Sequence, residues 1–454
     1  MSYWYAEIGL PAYRPALPQS VEADVAIVGA GFTGLWTAYY LKRAEPDLRI
    51  VMVEREFAGF GASGRNGGWL SSELAGSRRR YAATHGHQGV VDLLAAMRGA
   101  VDEVIAVAEA EGVRADIVKD GLVHVARNAA QVERLRAEVE EERGWGLGPS
   151  DLTLLTSEEM DARIHVDRVL LASYSPHCAR VQPAKLVQGI AAAVERLGVT
   201  IYERTTAREI VPGEVRTDHG TVRAPVVLRC LEGFTASITG ERRNWLPMNS
   251  SMIVTEPLDE AARSQVRWSG AELLGDAAHG YMYAQRTADH RIALGGRGIP
   301  YRYGSQTDRN GVTQDWTVRS LTGVLHDMFP ATRDVPIAHA WCGVLGVPRD
   351  WCATVDYDGA TGLGTAGGYV GSGLTTTNLA GRTLADLVLE RDTDLVRLPW
   401  VGRRVRQWEP EPLRWLGVQA MYALYRAADR RENERRLAHT SRIARVANAI
   451  TGRY

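Results

Sequence analysis

The sequence predicts an α/β protein with a buried parallel sheet near its N-terminus, and three observations within residues 23–54 carry that prediction. Val25-Ala26-Ile27-Val28 is a short apolar run rich in β-branched residues, the length of a buried strand and too short for a helix. Gly29, Gly31 and Gly34 follow at G-x-G-x-x-G spacing and open a helical segment from Leu35 to Arg43. Ile50-Val51-Met52-Val53 makes a second strand ending on Glu54, twenty positions beyond Gly34. In that order the first glycine permits a tight turn, the second lets backbone approach a pyrophosphate, and the third allows close helix–strand packing. Phe32 and Thr33 then stand at the helix N-terminus, where free N–H groups and the dipole favour phosphate. Glu54, beside Arg55, can accept hydrogen bonds from a ribose. The unit is a Rossmann-type dinucleotide fingerprint.

A second glycine cluster separates flavin from nicotinamide. Residues 59–68 contain five glycines, with Ser63, Arg65 and Asn66 among them. Such a stretch makes a poor core and a good cradle for a phosphate or a flavin edge. Its candidate binding residues are Gly61, Ala62, Ser63, Arg65, Asn66, Gly67 and Gly68, followed by Trp69. Gly-Phe-Thr-Gly-Leu-Trp-Thr-Ala at 31–38 and Gly-Ala-Ser-Gly-Arg-Asn-Gly-Gly at 61–68 resemble the D-amino-acid oxidase superfamily of FAD enzymes. Within it they are most similar to the γ-glutamylputrescine oxidoreductase and aminophosphonate oxidoreductase branch, as is the opening Ser2-Tyr3-Trp4-Tyr5.

The resemblance returns near the other end. Gly367-Gly368-Tyr369-Val370-Gly371-Ser372-Gly373-Leu374 is similar to the family's last flavin segment, a strand, a glycine turn and a new helix. It implies cofactor contacts at Gly371, Gly373, Leu374, Thr375 and Thr376, with the helix N-terminus facing a flavin edge that turns anionic on reduction. Ala207-Arg208-Glu209-Ile210 is similar to the segment beside adenine in relatives, which makes Glu209 and Ile210 candidates. The family has histidine where Gln182 stands.

Bulk properties fit a cytoplasmic enzyme. The chain of 454 residues is long enough for two or three domains, and its net charge of −1 gives no electrostatic case for nucleic acid or anionic membrane. Four scattered cysteines, without C-x-x-C, argue against disulfides and a zinc site, so no metal is expected. No basic–apolar leader and no membrane-length apolar run are read. Lysine occurs only at 42, 119 and 185, and the dominance of arginine matches a bacterial genome of high GC content.

The expected architecture is a discontinuous Rossmann-type FAD-binding domain (20–75, 150–245 and 340–395) with a substrate domain of mixed β-sheet plus helices (76–149 and 246–339). An Arg-rich helical tail, 396–454, follows and reads as a solvated helix pair. Helices are expected over 88–112 and 129–144. The strands Met252–Thr255, Gly280–Tyr283 and Arg291–Leu294 should roof the flavin.

The resemblance implies oxidation of a primary or secondary amine to an imine, with the flavin doing the redox chemistry and the protein orienting the substrate. Reoxidation would be by oxygen or another acceptor. Two departures narrow this. Where sarcosine-oxidase-type members carry a lysine that promotes oxygen reduction, this chain has Ala293. Where amino-acid-oxidising members carry W-x-G-x-R, it has Trp341-Cys342-Gly343-Val344-Leu345, and Leu345 cannot pair with a carboxylate. Tyr281, Tyr283 and Trp341 are therefore expected around the amine, Gly343 against the cofactor, and Arg297 as an anchor for any distal anion. His279 reads as a turn histidine. Cys352 reads as a small buried hydrophobe, hence non-covalent FAD. Alternatives are an aminophosphonate oxidoreductase and a flavin-carrying subunit of a larger redox complex.

Overall fold

A computed structural model describes residues 1–296, 301–307, 310–435 and 437–451. The fingerprint strands Val25–Val28 and Ile50–Val53 lie inside a six-stranded sheet, flanked by Val226–Arg229 on one side and Thr200–Tyr202 on the other. These four pair in parallel, and Leu363–Gly367 continues the parallel set before an antiparallel edge strand, Thr354–Asp358. Both fingerprint strands are buried at every residue, as expected of a parallel sheet covered on both faces. That is why they read as unbroken apolar runs.

Helix Phe32–Ala44 packs against helix Gly373–Val388, so the first and last flavin-type segments meet. Gly381 makes the contact possible: a Cβ there would stand 2.6 Å from the Cβ of Trp36. Helices Pro183–Arg196 and Arg78–Ala110 contribute to the same core. The latter begins ten residues before the expected start at 88 and kinks at Gly86, whose φ is 66°.

The second layer is an eight-stranded mixed sheet. Its order is Ile337–Val347, Leu246–Thr255, Ile292–Gly296, Met282–Arg286, Leu273–Asp276, Leu122–Ala126, Leu171–Ser175 and Thr153–Thr156. Helices Asp315–Met328 and Glu260–Val266 help to build an apolar core on it. Three expected boundaries differ. Strands at 153–156 and 171–175, assigned to the nucleotide part, belong to this sheet, as does most of the strand 337–347. Helix 78–110, assigned to the substrate part, packs into the nucleotide core. The cause is non-local: Leu171–Ser175 pairs antiparallel with Leu122–Ala126 and carries Thr153–Thr156 with it, a partnership that no local pattern announces.

The tail folds back as a helical hairpin, Leu413–Glu434 and Arg442–Thr451. It is docked rather than solvated, with Val418, Tyr425, Ala428 and Glu432 buried. No helix among the described residues is long and apolar enough to cross a membrane.

Candidate functional site

The two layers enclose a cavity of about 710 Å³. Gly29, Gly31, Phe32, Thr33, Glu54 and Arg55 line one end of it. Gly29 has φ +103°, and a Cβ there would stand 2.6 Å from the carbonyl oxygen of Cys230. Gly34 lies behind the surface, where a Cβ would stand 2.2 Å from the carbonyl oxygen of Gly29. Gly31 is the N-cap of helix Phe32–Ala44 and provides no side-chain cap, so the helix start is left open at the cavity wall. Glu54 accepts the N–H groups of Ala30 and Glu56, each at 3.0 Å. Burial pushes its carboxyl above the usual range, against the pull of those two donors.

The second glycine loop forms the adjoining wall through Gly61, Ala62, Ser63, Arg65, Asn66, Gly67 and Trp69. It is fixed from several sides. Ser63 Oγ accepts the N–H of Phe32 at 2.9 Å, and Asn66 donates to the carbonyls of Ala62 and Ser63 and accepts from Gly68 N–H. Gly68 takes φ +68° beneath the surface. The N-terminal helix Tyr3–Ile8 braces the same loop, Trp4 Nε1 donating to the Asn66 carbonyl at 2.8 Å.

The last segment brings Tyr369 and the turn Gly371, Ser372, Gly373 and Leu374 to the cavity. The helix that begins here also lacks a side-chain cap. Thr375 and Thr376 are buried behind it, Thr376 donating back to the Ser372 carbonyl, and the cavity's next threonine is Thr377. Glu209 and Ile210 do not line the cavity. A bulge between Ala207 and Glu209 turns the strand away, Glu209 pairs with Arg216 at 2.6 Å on the surface, and Thr205, Thr206 and Ala207 form the wall instead.

Of the expected amine-binding residues, Tyr281 and Tyr283 line the cavity. Tyr283 shares a hydrogen bond of 2.9 Å with Ser250 Oγ, and burial pushes its phenol upward, so it stays protonated. Tyr281 is 44% exposed and reaches toward the glycine turn, its hydroxyl 4.0 Å from where a Cβ on Gly371 would be. Gly343 and Leu345 also line the cavity, and Leu345 Cδ1 lies 3.9 Å from that same Cβ position on Gly371. Trp341 lies outside the cavity. On the alternation of its strand it shares a face with Gly343 and Leu345, but Tyr3 and Trp4 cover it at ring distances of 6.4 and 5.9 Å. Its Nε1 donates to the Arg65 carbonyl, a bracing role. Arg297 lies outside the described residues. Gln182 caps helix Pro183–Arg196, accepting from Lys185 N–H at 2.8 Å. Cys352 is buried off the cavity wall, its thiol pushed up to about 11 by desolvation.

His279 is not an exposed turn residue. It is buried against Glu432 at 2.9 Å, and Arg134 Nη1 lies 3.0 Å from the same ring nitrogen. Asp429 is close enough to make a three-ligand cluster with them. The guanidinium, also 2.8 Å from Glu432, makes it an ion-pair network that holds the hairpin. Glu432 is held down to about 2, despite desolvation, by His279, the Ser441 N–H and Arg134.

Sequence reasoning missed Glu232. It lies on the cavity wall, takes φ +45°, accepts Tyr369 N–H at 2.9 Å, and is pushed up to about 7 by burial. A half-buried glutamate at positive φ is strained, but no local motif marks it. Also missed were Glu73, His124, Glu138 and Glu141, together with Thr440 and Asn448 from the tail. The acids at 138 and 141 are one helical turn apart, a signal equally expected of a solvated face.

These features define a flavoenzyme fold with a nucleotide cradle opening into a substrate cavity. The chain belongs to the FAD dependent oxidoreductase family DAO, whose model matches residues 24–387. It is 29% identical over 401 residues to γ-glutamylputrescine oxidoreductase of Escherichia coli (strain K12), covering 85% of this chain and 88% of that one. It is 27% identical over 401 residues to the probable oxidoreductase OrdL of Rhizobium meliloti (strain 1021), covering 86% and 89%. Among solved structures, glycine oxidase from Geobacillus kaustophilus shares the fold with a TM-score of 0.71 at 20% identity, over 84% of this chain and 99% of that one.

The cradle fits FAD on its own geometry. A Cβ on Gly31 would enter the wall beside Ser63, two helix starts are uncapped where cavity residues lie, and Glu54 presents a carboxyl at the strand end.

Proposed function

We propose that this chain oxidises a primary or secondary amine to an imine, which hydrolyses to an aldehyde or ketone. The observation that carries the reading is continuity: one cavity joins the FAD cradle to a wall made of Tyr281, Tyr283 and Leu345. Bound FAD supplies the two-electron acceptor, and the protein's work is to bind and orient the amine.

Tyr283, fixed by Ser250 and packed over Gly295, offers a rigid aromatic face. Tyr281 adds a second, more exposed one. Leu345 puts an apolar side chain where a carboxylate clamp would otherwise be, which favours amines without an α-carboxylate. Oxidation requires a neutral amine, and a largely apolar wall disfavours the ammonium form. The open start of helix Gly373–Val388 favours negative charge at the adjoining part of the cavity. FAD is held without a covalent bond, a reading supported by Cys352 lying off the wall with a raised thiol. The name of the γ-glutamylputrescine oxidoreductase relative, an enzyme of an amine, supports the same chemistry.

The test is anaerobic mixing of the purified holoenzyme with a panel of alkylamines, diamines and amino acids while flavin absorbance is followed. Bleaching by amines lacking an α-carboxylate is the expected result. Bleaching by amino acids alone would refute it.

A further inference from the structure

Beyond Tyr283 the cavity continues into an end that the oxidation chemistry does not use. Two ring contacts lead there: Tyr283 to Trp69 at 6.0 Å, and Trp69 to His124 at 6.4 Å. Helix Ala129–Gly144 supplies one wall, with Arg134, Glu138 and Glu141 spaced to share a face.

The cations at this end are committed. Arg78 pairs with Glu142 at 2.7 Å, and Arg134 with Glu432 at 2.8 Å. Glu73 lies 3.6 Å from His124 Nε2. Glu138 and Glu141 have no hydrogen-bond or ion-pair partner among the described residues, yet both line the cavity. Glu138 and Glu141 are exposed residues of the cavity wall. Protein surrounds the Glu138 carboxyl closely enough for desolvation to be the dominant influence, raising its pKa against the pull of His124 and Arg78, with Glu73 and Glu142 adding repulsion. A carboxylate that surrounding protein partly desolvates and no side chain pairs with gains from a cation bound beside it.

The chamber is closed by this chain's own tail. Thr440 and Asn448 line it, although the family model ends at residue 387. The hairpin is held by Glu432 against Arg134 and His279, and by Asp429 accepting the N–H groups of His279 and Gly280, each at 2.9 Å. This end of the cavity is therefore walled by packed, hydrogen-bonded elements.

We propose that this chamber receives the second ammonium of a diamine or polyamine whose other amine is oxidised beside Tyr281 and Tyr283. The proposal rests on the amine-oxidising reading above and narrows its substrate class. Glu138 and Glu141 bind the distal cation, and the Trp69–His124 passage takes the intervening methylenes. A substrate with a distal carboxylate or phosphonate meets like charge here.

Anaerobic titration of the holoenzyme with putrescine, n-butylamine and γ-aminobutyrate, followed by flavin absorbance, tests it. Putrescine should bind about 10- to 100-fold more tightly than n-butylamine, the scale of one or two charge-assisted contacts, with γ-aminobutyrate weakest. Glu138→Gln and Glu141→Gln, singly and together, should progressively shrink the putrescine-to-butylamine ratio, with flavin content and melting temperature reporting an intact fold. If n-butylamine binds as well as putrescine, or the double variant keeps the parent ratio, the chamber proposal alone is overturned. If no amine reduces the flavin, the amine reading falls and takes this one with it.

Discussion

Replacing Gly31 with valine should abolish FAD retention while leaving the fold intact, and the three fingerprint glycines show why this position is the informative one. Gly29 has φ +103° and Cys230 O lies 2.6 Å from a would-be Cβ, so substitution there strains the backbone as well as the site. At Gly34 a Cβ would stand 2.2 Å from Gly29 O, and backbone cannot yield as a side chain can. Gly31 differs. Its φ of −86° and ψ of −177° are extended values that valine adopts freely. The only atom closer than 3.0 Å to its Cβ is Ser63 Oγ, at 2.9 Å, the end of a side chain that can rotate. Rotation would release the Phe32 N–H bond, a loss of about 1 kcal/mol. The valine methyls would then occupy the open helix start where phosphate is expected. Losing two charge-assisted N–H contacts to phosphate, at about 1.5–3 kcal/mol each, predicts FAD affinity weakened by roughly 100-fold or more. FAD per chain after gel filtration, with circular dichroism as the control for folding, measures this. A folded Gly31→Val protein that retains stoichiometric FAD would mean that the nucleotide site has been placed wrongly.

Four further outcomes are expected. Glycine, sarcosine and common D-amino acids should reduce the flavin poorly because Leu345 shares the cavity wall with Tyr281 and Tyr283 and cannot pair with a carboxylate, and efficient turnover of D-alanine in a coupled assay would contradict that. Flavin reduction should outpace reoxidation by air, with an artificial acceptor raising turnover; stopped-flow mixing of reduced enzyme with oxygen decides it. Ala293→Lys, however, should lower the melting temperature, because Ala293 is fully buried in an apolar cluster with Met252, Val254 and Trp341, where an ammonium would be desolvated. Finally, Glu232 is raised to about 7 from an unfolded value of 4.5, so the folded state holds its proton more tightly. Its ionisation should cost about 3 kcal/mol, with stability falling as pH rises from 4.5 to 7 and level above, and Glu232→Gln should flatten that part of a melting-temperature profile.

The cradle was legible because its determinants are local. Strand, glycine spacing, helix and acid occupy 25–54 in one continuous stretch, and the physics they encode operates over a few residues. The same holds for 61–69, whose glycines and Asn66 shape the turn locally even though Trp4, Phe32 and Trp341 brace it from outside. The sheet boundaries were less legible. Leu122–Ala126 alternates too little to announce a face, and its partners at 171–175 and 273–276 lie far along the chain. Trp341 shows a different failure. It shares a strand face with Gly343 and Leu345, but whether a side chain lines a cavity or a core depends on what covers it, and the cover comes from Tyr3 and Trp4.

The substrate end was least legible for a physical reason that also bears on specificity. A row of acids on a helix is the ordinary pattern of a solvated face, and Glu138 and Glu141 read that way until the strand Leu273–Asp276 and the C-terminal hairpin enclose the space before them. Surrounding protein is what changes the chemistry of Glu138. In water a carboxylate needs no partner, whereas within the cavity desolvation raises Glu138, and a cation becomes the natural counterpart. The enclosing hairpin is anchored by Glu432, whose carboxyl is held to about 2 by His279, the Ser441 N–H and Arg134. The nucleotide cradle is thus written in contiguous motifs, while the wall proposed above to select a substrate is assembled from a helix near 138, a strand near 275 and a hairpin beyond 413.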